Sequence, residues 1–170
     1  MQTAKVLPAG APQRELRHLD QHAQDRLADL GTTVMPMRTL RRTGRRPYTF
    51  NGETLVTVCG ITPALPFWYE LNVHRTVIDT YVSDIRLFHK TPDLADLFWV
   101  AEHDDVEEVT AHFERYDPTG DVTPPREMTR AGSIAELALW TARLQMQVDG
   151  ITQHFRTQAG ELLHALSTKG

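Results

Sequence analysis

Two Glu-x-x-His quartets, Glu15 with His18 and Glu161 with His164, have the spacing most suggestive of chemistry in this chain. Residues three apart project to one side of a helix, and carboxylate-bridged di-iron bundles use that geometry to offer a carboxylate and an imidazole to one metal. Such a centre also needs two further glutamates from facing helices, and Glu161 and His164 sit off the apolar seam of their own segment. The i, i+4 pairs His18 with His22 and Glu108 with His112 have the reach to share a metal, but solvated helix faces produce the same spacing. His74, four positions after Glu70 on an apolar stripe, reads as a hydrogen-bonded core histidine. Cys59 has no histidine near it in sequence and reads as a small buried hydrophobe. Phosphate loops, dinucleotide fingerprints and nucleophile elbows are missing. The chain therefore reads as non-catalytic, with no metal and no cofactor; a metal-dependent helical-bundle enzyme is the distant alternative.

Charge is the stronger signal. Arg38, Arg41, Arg42, Arg45 and Arg46 fall in one short segment with no acid among them. Between Asp93 and Asp121 the order reverses: Asp104, Asp105, Glu107 and Glu108 are the densest part of an acidic stretch whose one base is Arg115. Blocks of opposite sign in one chain are relieved when they meet, within a subunit or between neighbours. Arginines beside a hairpin also suit phosphate contact by a winged or ribbon-like reader. A recognition helix should then precede the wing, and the one candidate there, "MPMRTLRR", is broken by Pro36.

The elements that must position these groups read as helices. After a leader over 1–11, Leu16, Leu19, Ala23, Leu27 and Leu30 step by three and four before Gly31. The span from Thr32 to Arg46 reads as irregular. A β-hairpin is expected at 47–58, because Asn51-Gly52 suits a two-residue type I′ turn between "PYTF" and "ETLVTV". Phe67, Leu71, His74, Ile78, Tyr81, Ile85 and Phe88 recur at 4, 3, 4, 3, 4, 3, which predicts a long helix capped by Thr62. Thr91-Pro92 predicts a short helix through "DLADLFWVAEH", and Asp104 or Asp105 caps another over "VEEVTAHFERY". Trp68, Trp99 and Trp140 fall on three different expected helices, where they would knit one core.

Residues 117–132 read as a linker. The last segment, 133–168, opens on the Ser133-x-x-Glu136 capping box. Leu137, Leu144, Val148, Ile151, Phe155 and Leu162 then mark a heptad-like seam suited to oligomerisation. The expected fold is mainly α: a helical bundle over 12–116 with a small β-hairpin, followed by a long heptad-bearing, coiled-coil-like C-terminal helix.

A chain of 170 residues, 41% hydrophobic and 24% charged, with net charge −4, has the balance of a globular domain and no global pull toward nucleic acid or membrane. One cysteine permits no internal disulfide, so a reducing, cytoplasmic setting is expected. No stretch has the roughly 18 apolar residues of a membrane span. These features point to a homo-oligomeric assembly or adaptor protein, a structural or accessory component of a larger particle. Its basic and acidic surfaces would contact its own copies and another protein. The alternative is a DNA-binding regulator dimerised by its last helix.

Overall fold

A computed structural model describes residues 35–63, 65–124 and 126–168. The chain divides into two compact units, Met1–Met35 and Pro36–Gly170, and every described strand and helix belongs to the second. The leader over 1–11, the helix expected around Leu16–Leu30, and Glu15, His18 and His22 lie outside the described residues.

Among the described residues the expected helical bundle is replaced by a curled, five-stranded antiparallel half-barrel with two helices. Its strands run in chain order: β1 (Met37–Leu40), β2 (Tyr48–Cys59), β3 (Phe67–Thr76), β4 (Tyr81–His89) and β5 (Leu97–His103). The helices are α1 (Val106–Arg115) and α2 (Ile134–Ser167), separated by 3₁₀ turns at Pro118–Asp121 and Arg126–Arg130. The sheet curls far enough for its ends to meet. Thr43, just after β1, donates its N–H to the Phe98 carbonyl of β5 at 2.9 Å, and its hydroxyl accepts from the Phe98 N–H at 2.7 Å. That contact occupies backbone groups that an open edge strand would leave for another chain.

The long helix expected over 67–88 is the hairpin β3–β4, in register from Phe67 opposite His89 to Arg75 opposite Tyr81. Central strands covered on both faces lose the alternation that marks a half-exposed strand. Leu71, Asn72, Val73 and His74 are all buried, as are Val82, Ser83, Asp84 and Ile85. A three–four pattern can be picked from such a continuous run, although its aromatic and β-branched residues favour a strand. Ile78, nominally on the stripe, sits in the turn and is 72% exposed. Next to it Asp79 has φ 67°, a left-handed conformation that Asp tolerates better than most residues.

Asn51-Gly52 makes no turn; both lie inside the single strand β2. A Cβ at Gly52 would collide with the Arg75 carbonyl and the Phe50 ring, so close backbone approach explains this glycine. The actual hairpin joins β1 to β2, pairing Met37 with Asn51 and Leu40 with Tyr48, and Gly44 takes φ 68° in its turn. The segment expected to be irregular up to Arg46 thus contains β1. Likewise "LFWVAEH" is strand β5, so the Thr91-Pro92 helix does not form. Trp68 and Trp99 are strand residues, and only Trp140 is helical.

Both helices begin as their caps dictate. Asp105 accepts from the Glu108 N–H at 2.8 Å, while Glu108 returns to the Asp104 N–H at 3.0 Å. Ser133 accepts from the Glu136 N–H at 3.2 Å, and Glu136 reaches back to the Gly132 N–H at 2.8 Å. One face of the sheet, carrying Val56, Phe67, Tyr69, Leu71, Val73, Ile85 and Leu87, packs against Val109 and Phe113 of α1 and Ile151, Phe155, Leu162 and Leu166 of α2. Gln158 of α2 is buried beside Gly60, whose N–H its amide oxygen accepts while its NH₂ donates to the Tyr69 carbonyl at 3.2 Å. A Cβ at Gly60 would strike that amide.

Candidate functional site

α2 has 34 residues, about 50 Å at 1.5 Å per residue, and only its second half rests on the sheet. Ile151, Phe155 and Leu162 are buried in the chain's own core, at 2%, 1% and 0% exposure. These three members of the expected seam hold the subunit together. The same helical stripe runs on toward the N-terminus through Val148 and Leu144, both half-buried, to Leu137, which is 44% exposed. Ile134, Leu139 and Met146 are exposed at 88%, 51% and 74%. Between Ile134 and Asp149 the charged residues are Glu136, Arg143 and Asp149 alone. A helix this apolar around its circumference is ordinarily covered. Trp140, half-buried, carries the Arg143 guanidinium 4.9 Å from its ring centroid. With Leu65, Phe67, Met146 and Gly150 these residues line an open groove of about 390 Å³ under the overhang.

The five arginines do not form one free arm. Arg38, on β1, donates through Nε to the Gly52 carbonyl at 2.9 Å, and Arg41 lies over the Phe98 ring at 5.7 Å. Arg42 is half-buried near Tyr48, whose hydroxyl is pushed up by burial and then by the Glu102 carboxylate. Arg45 and Arg46 project from the exposed turn. The acidic set is also partly committed to its own backbone, since Asp105 and Glu108 make the α1 cap; Asp104 and Glu107 are exposed.

Near the start of α1, Asp105, Glu107, Glu108, His103, His112 and Arg115 border an open cleft of about 770 Å³. The His103 and His112 rings lie 5.0 Å apart, and Ser83 Oγ is 2.9 Å from His103 Nε2. Burial holds His103 below the usual imidazole range, against the pull of Glu108, Asp105 and Glu102. Burial and then the His103 charge do the same to His112.

His74 is buried as expected, but on a strand; its Nδ1 is 3.0 Å from Thr54 Oγ1. It belongs to a polar ladder on the second face of the sheet. There Arg86 binds Glu70 at 2.7 Å and the buried Asp84 at 2.6 Å, and Thr57 donates to Asn72 at 2.7 Å. Cys59, expected to be buried, is exposed. Glu161 and His164 are both exposed on α2. Among the described residues no group of three His, Cys, Asp or Glu could hold a metal, and no helix is long and apolar enough to cross a membrane.

Sequence reasoning gave Asp121 no role beyond closing the acidic stretch. This carboxylate, in the segment read as a linker, is 8% exposed and accepts from Tyr69 (2.5 Å) and Tyr116 (2.9 Å) through the same oxygen, Oδ2. Burial raises Asp121 above the ordinary carboxylate range, and the two hydroxyl donors act against that shift. Both tyrosines are pushed well up, by burial first and then by the carboxylate. No local motif announces a site assembled from positions 69, 116 and 121.

No protein-family model, curated protein or solved structure matches this chain.

Proposed function

We propose that the protein is a non-catalytic assembly or adaptor component that pairs with a second copy of itself through the overhanging half of α2. The supporting observation is the stripe of Leu137, Leu144 and Val148, which continues the buried face of α2 beyond the sheet that covers Ile151, Phe155 and Leu162. Its spacing from Leu137 to Val148 runs 4, 3, 4 through Thr141 and so reads the same in both directions. An antiparallel second copy meets such a stripe with the matching residues, as a two-fold interface requires. Arg45 and Arg46, with Asp104 and Glu107, remain as exposed charges for a further protein partner.

The test is native mass by sedimentation or mass spectrometry on the intact chain. The wild type should be a multimer that Leu137→Asp with Leu144→Asp reduces to the monomer while helicity is retained. A wild-type chain that stays monomeric at high micromolar concentration overturns the reading.

A further inference from the structure

Asp121 Oδ2 is saturated by two tyrosine hydroxyls, whereas Oδ1 receives no hydrogen bond among the described residues. The residue lines a second, smaller cavity of about 120 Å³ under α2. Phe67, Val122 and Ile151 make its walls apolar, and His89, Gln147 and Asp121 supply its polar groups. His89 Nδ1 is buried and has no hydrogen-bond partner among the described residues. The cavity is therefore bordered by a carboxylate, more than nine-tenths buried, with one oxygen left without a hydrogen bond, and by an imidazole whose buried nitrogen also lacks a partner among the described residues. Unpaired buried polar groups cost free energy unless something meets them.

The geometry points to a binding site for a small organic cation, a primary ammonium group on a short apolar chain. An ammonium has three N–H donors. Asp121 Oδ1 takes one and supplies the opposite charge, and His89 and Gln147, which line the same cavity, are the side chains whose acceptors can meet the others. The aliphatic part lies against Phe67 and Ile151. The volume exceeds what one water requires several times over, and it excludes a drug-sized ligand. A neutral alcohol of the same length can donate only one hydrogen bond and brings no charge to the carboxylate, so charge separates the two ligand classes. The site shares Gln147 and Ile151 with α2, but its charged group, Asp121, lies outside that helix, so ligand binding and native mass are read separately.

The experiment titrates the intact protein with butylammonium chloride and, in parallel, with 1-butanol, at constant ionic strength, following chemical shifts or heat. Butylammonium should bind saturably and 1-butanol at least about tenfold more weakly, because a charge-assisted hydrogen bond is worth at least that factor over a neutral one. Asp121→Asn keeps an acceptor for Tyr69 and Tyr116 and should weaken butylammonium binding by about tenfold or more. Should that variant fail to fold, Gln147→Phe fills the cavity from an exposed helix position and should abolish binding. Equal binding of amine and alcohol, undiminished binding in Gln147→Phe, or no saturable amine binding to the wild type overturns the assignment.

Discussion

Arg86 places two nitrogens against one oxygen of Asp84, Nε at 2.7 Å and Nη2 at 2.6 Å from Oδ2. The residues are two apart on β4 and so share a face of the sheet. Asp84 is fully buried, while the Arg86 side chain keeps 29% of its surface and reaches Glu70 as well. A carboxylate that deep depends on its counter-charge. Arg86→Met should therefore cost about 3–5 kcal/mol, the penalty of leaving a buried charge unpaired. Asp84→Asn should cost less, and the double variant less than the two losses added, since the second change removes the charge that the first orphans. Urea denaturation of the four proteins measures the coupling; additive losses would show that the pair does not act as a unit.

Acid should weaken the fold through histidines. Burial lowers His103, His112 and His154, with the His103 charge adding to the effect on His112. A folded-state pKa below the unfolded value means that the unfolded chain binds more protons, so stability rises with pH in that window. Stability should be fully present above about pH 6.5 and decline as the pH falls below it, by at most about 1.4 kcal/mol per pH unit for each histidine. Asp121, whose folded pKa is raised, has the opposite sign but acts nearer the carboxylate range. Melting temperatures between pH 7.5 and 5 check this, and His112→Gln should flatten the slope.

How far the sequence carries the fold is clearest where local chemistry decides. The caps at Asp105 and Ser133 are set by neighbours within one turn, and they and the helices they open read correctly from residue types. β3 and β4 did not, because helix packing covers one face and the Glu70–Asn72–His74–Asp84–Arg86 ladder the other. Asn51-Gly52 has the composition of a turn, yet its glycine answers a tertiary demand, the carbonyl of Arg75 across the strand pair. Asp121 shows the same limit for sites. Tyr69 is 52 positions away from it, and only the packing of Phe155 against both Tyr69 (5.1 Å) and Tyr116 (4.7 Å) brings the hydroxyls together.

The arginines should separate into structural and free members. Arg38→Gln removes a charged donor from the Gly52 carbonyl and should cost about 1–2 kcal/mol. Arg45→Gln with Arg46→Gln alters two exposed turn residues and should stay within about 0.5 kcal/mol of wild type. Chemical denaturation distinguishes them. A duplex-DNA affinity whose salt slope drops by about two in the double variant would instead assign the turn to phosphate contact.

The two halves of α2 should respond oppositely to the same substitution. Ile151 is 2% exposed and meets the sheet, so Ile151→Asp buries an unpaired charge and should unfold the domain, with lost helicity and a broad or missing melt. Leu137, on the same stripe and 44% exposed, meets nothing comparable within the subunit. Leu137→Asp should leave the monomer's secondary structure intact and weaken self-association by about a hundredfold or more, since a charge placed at an apolar contact costs about 3 kcal/mol. Sedimentation across a concentration series, read beside circular dichroism, separates the outcomes. A Leu137→Asp protein that unfolds would place the whole stripe in the subunit's own core; one that folds and keeps its mass would move the contact elsewhere. Loss of mass without loss of helicity is the expected result, because only the overhanging half of the stripe lacks a sheet beneath it.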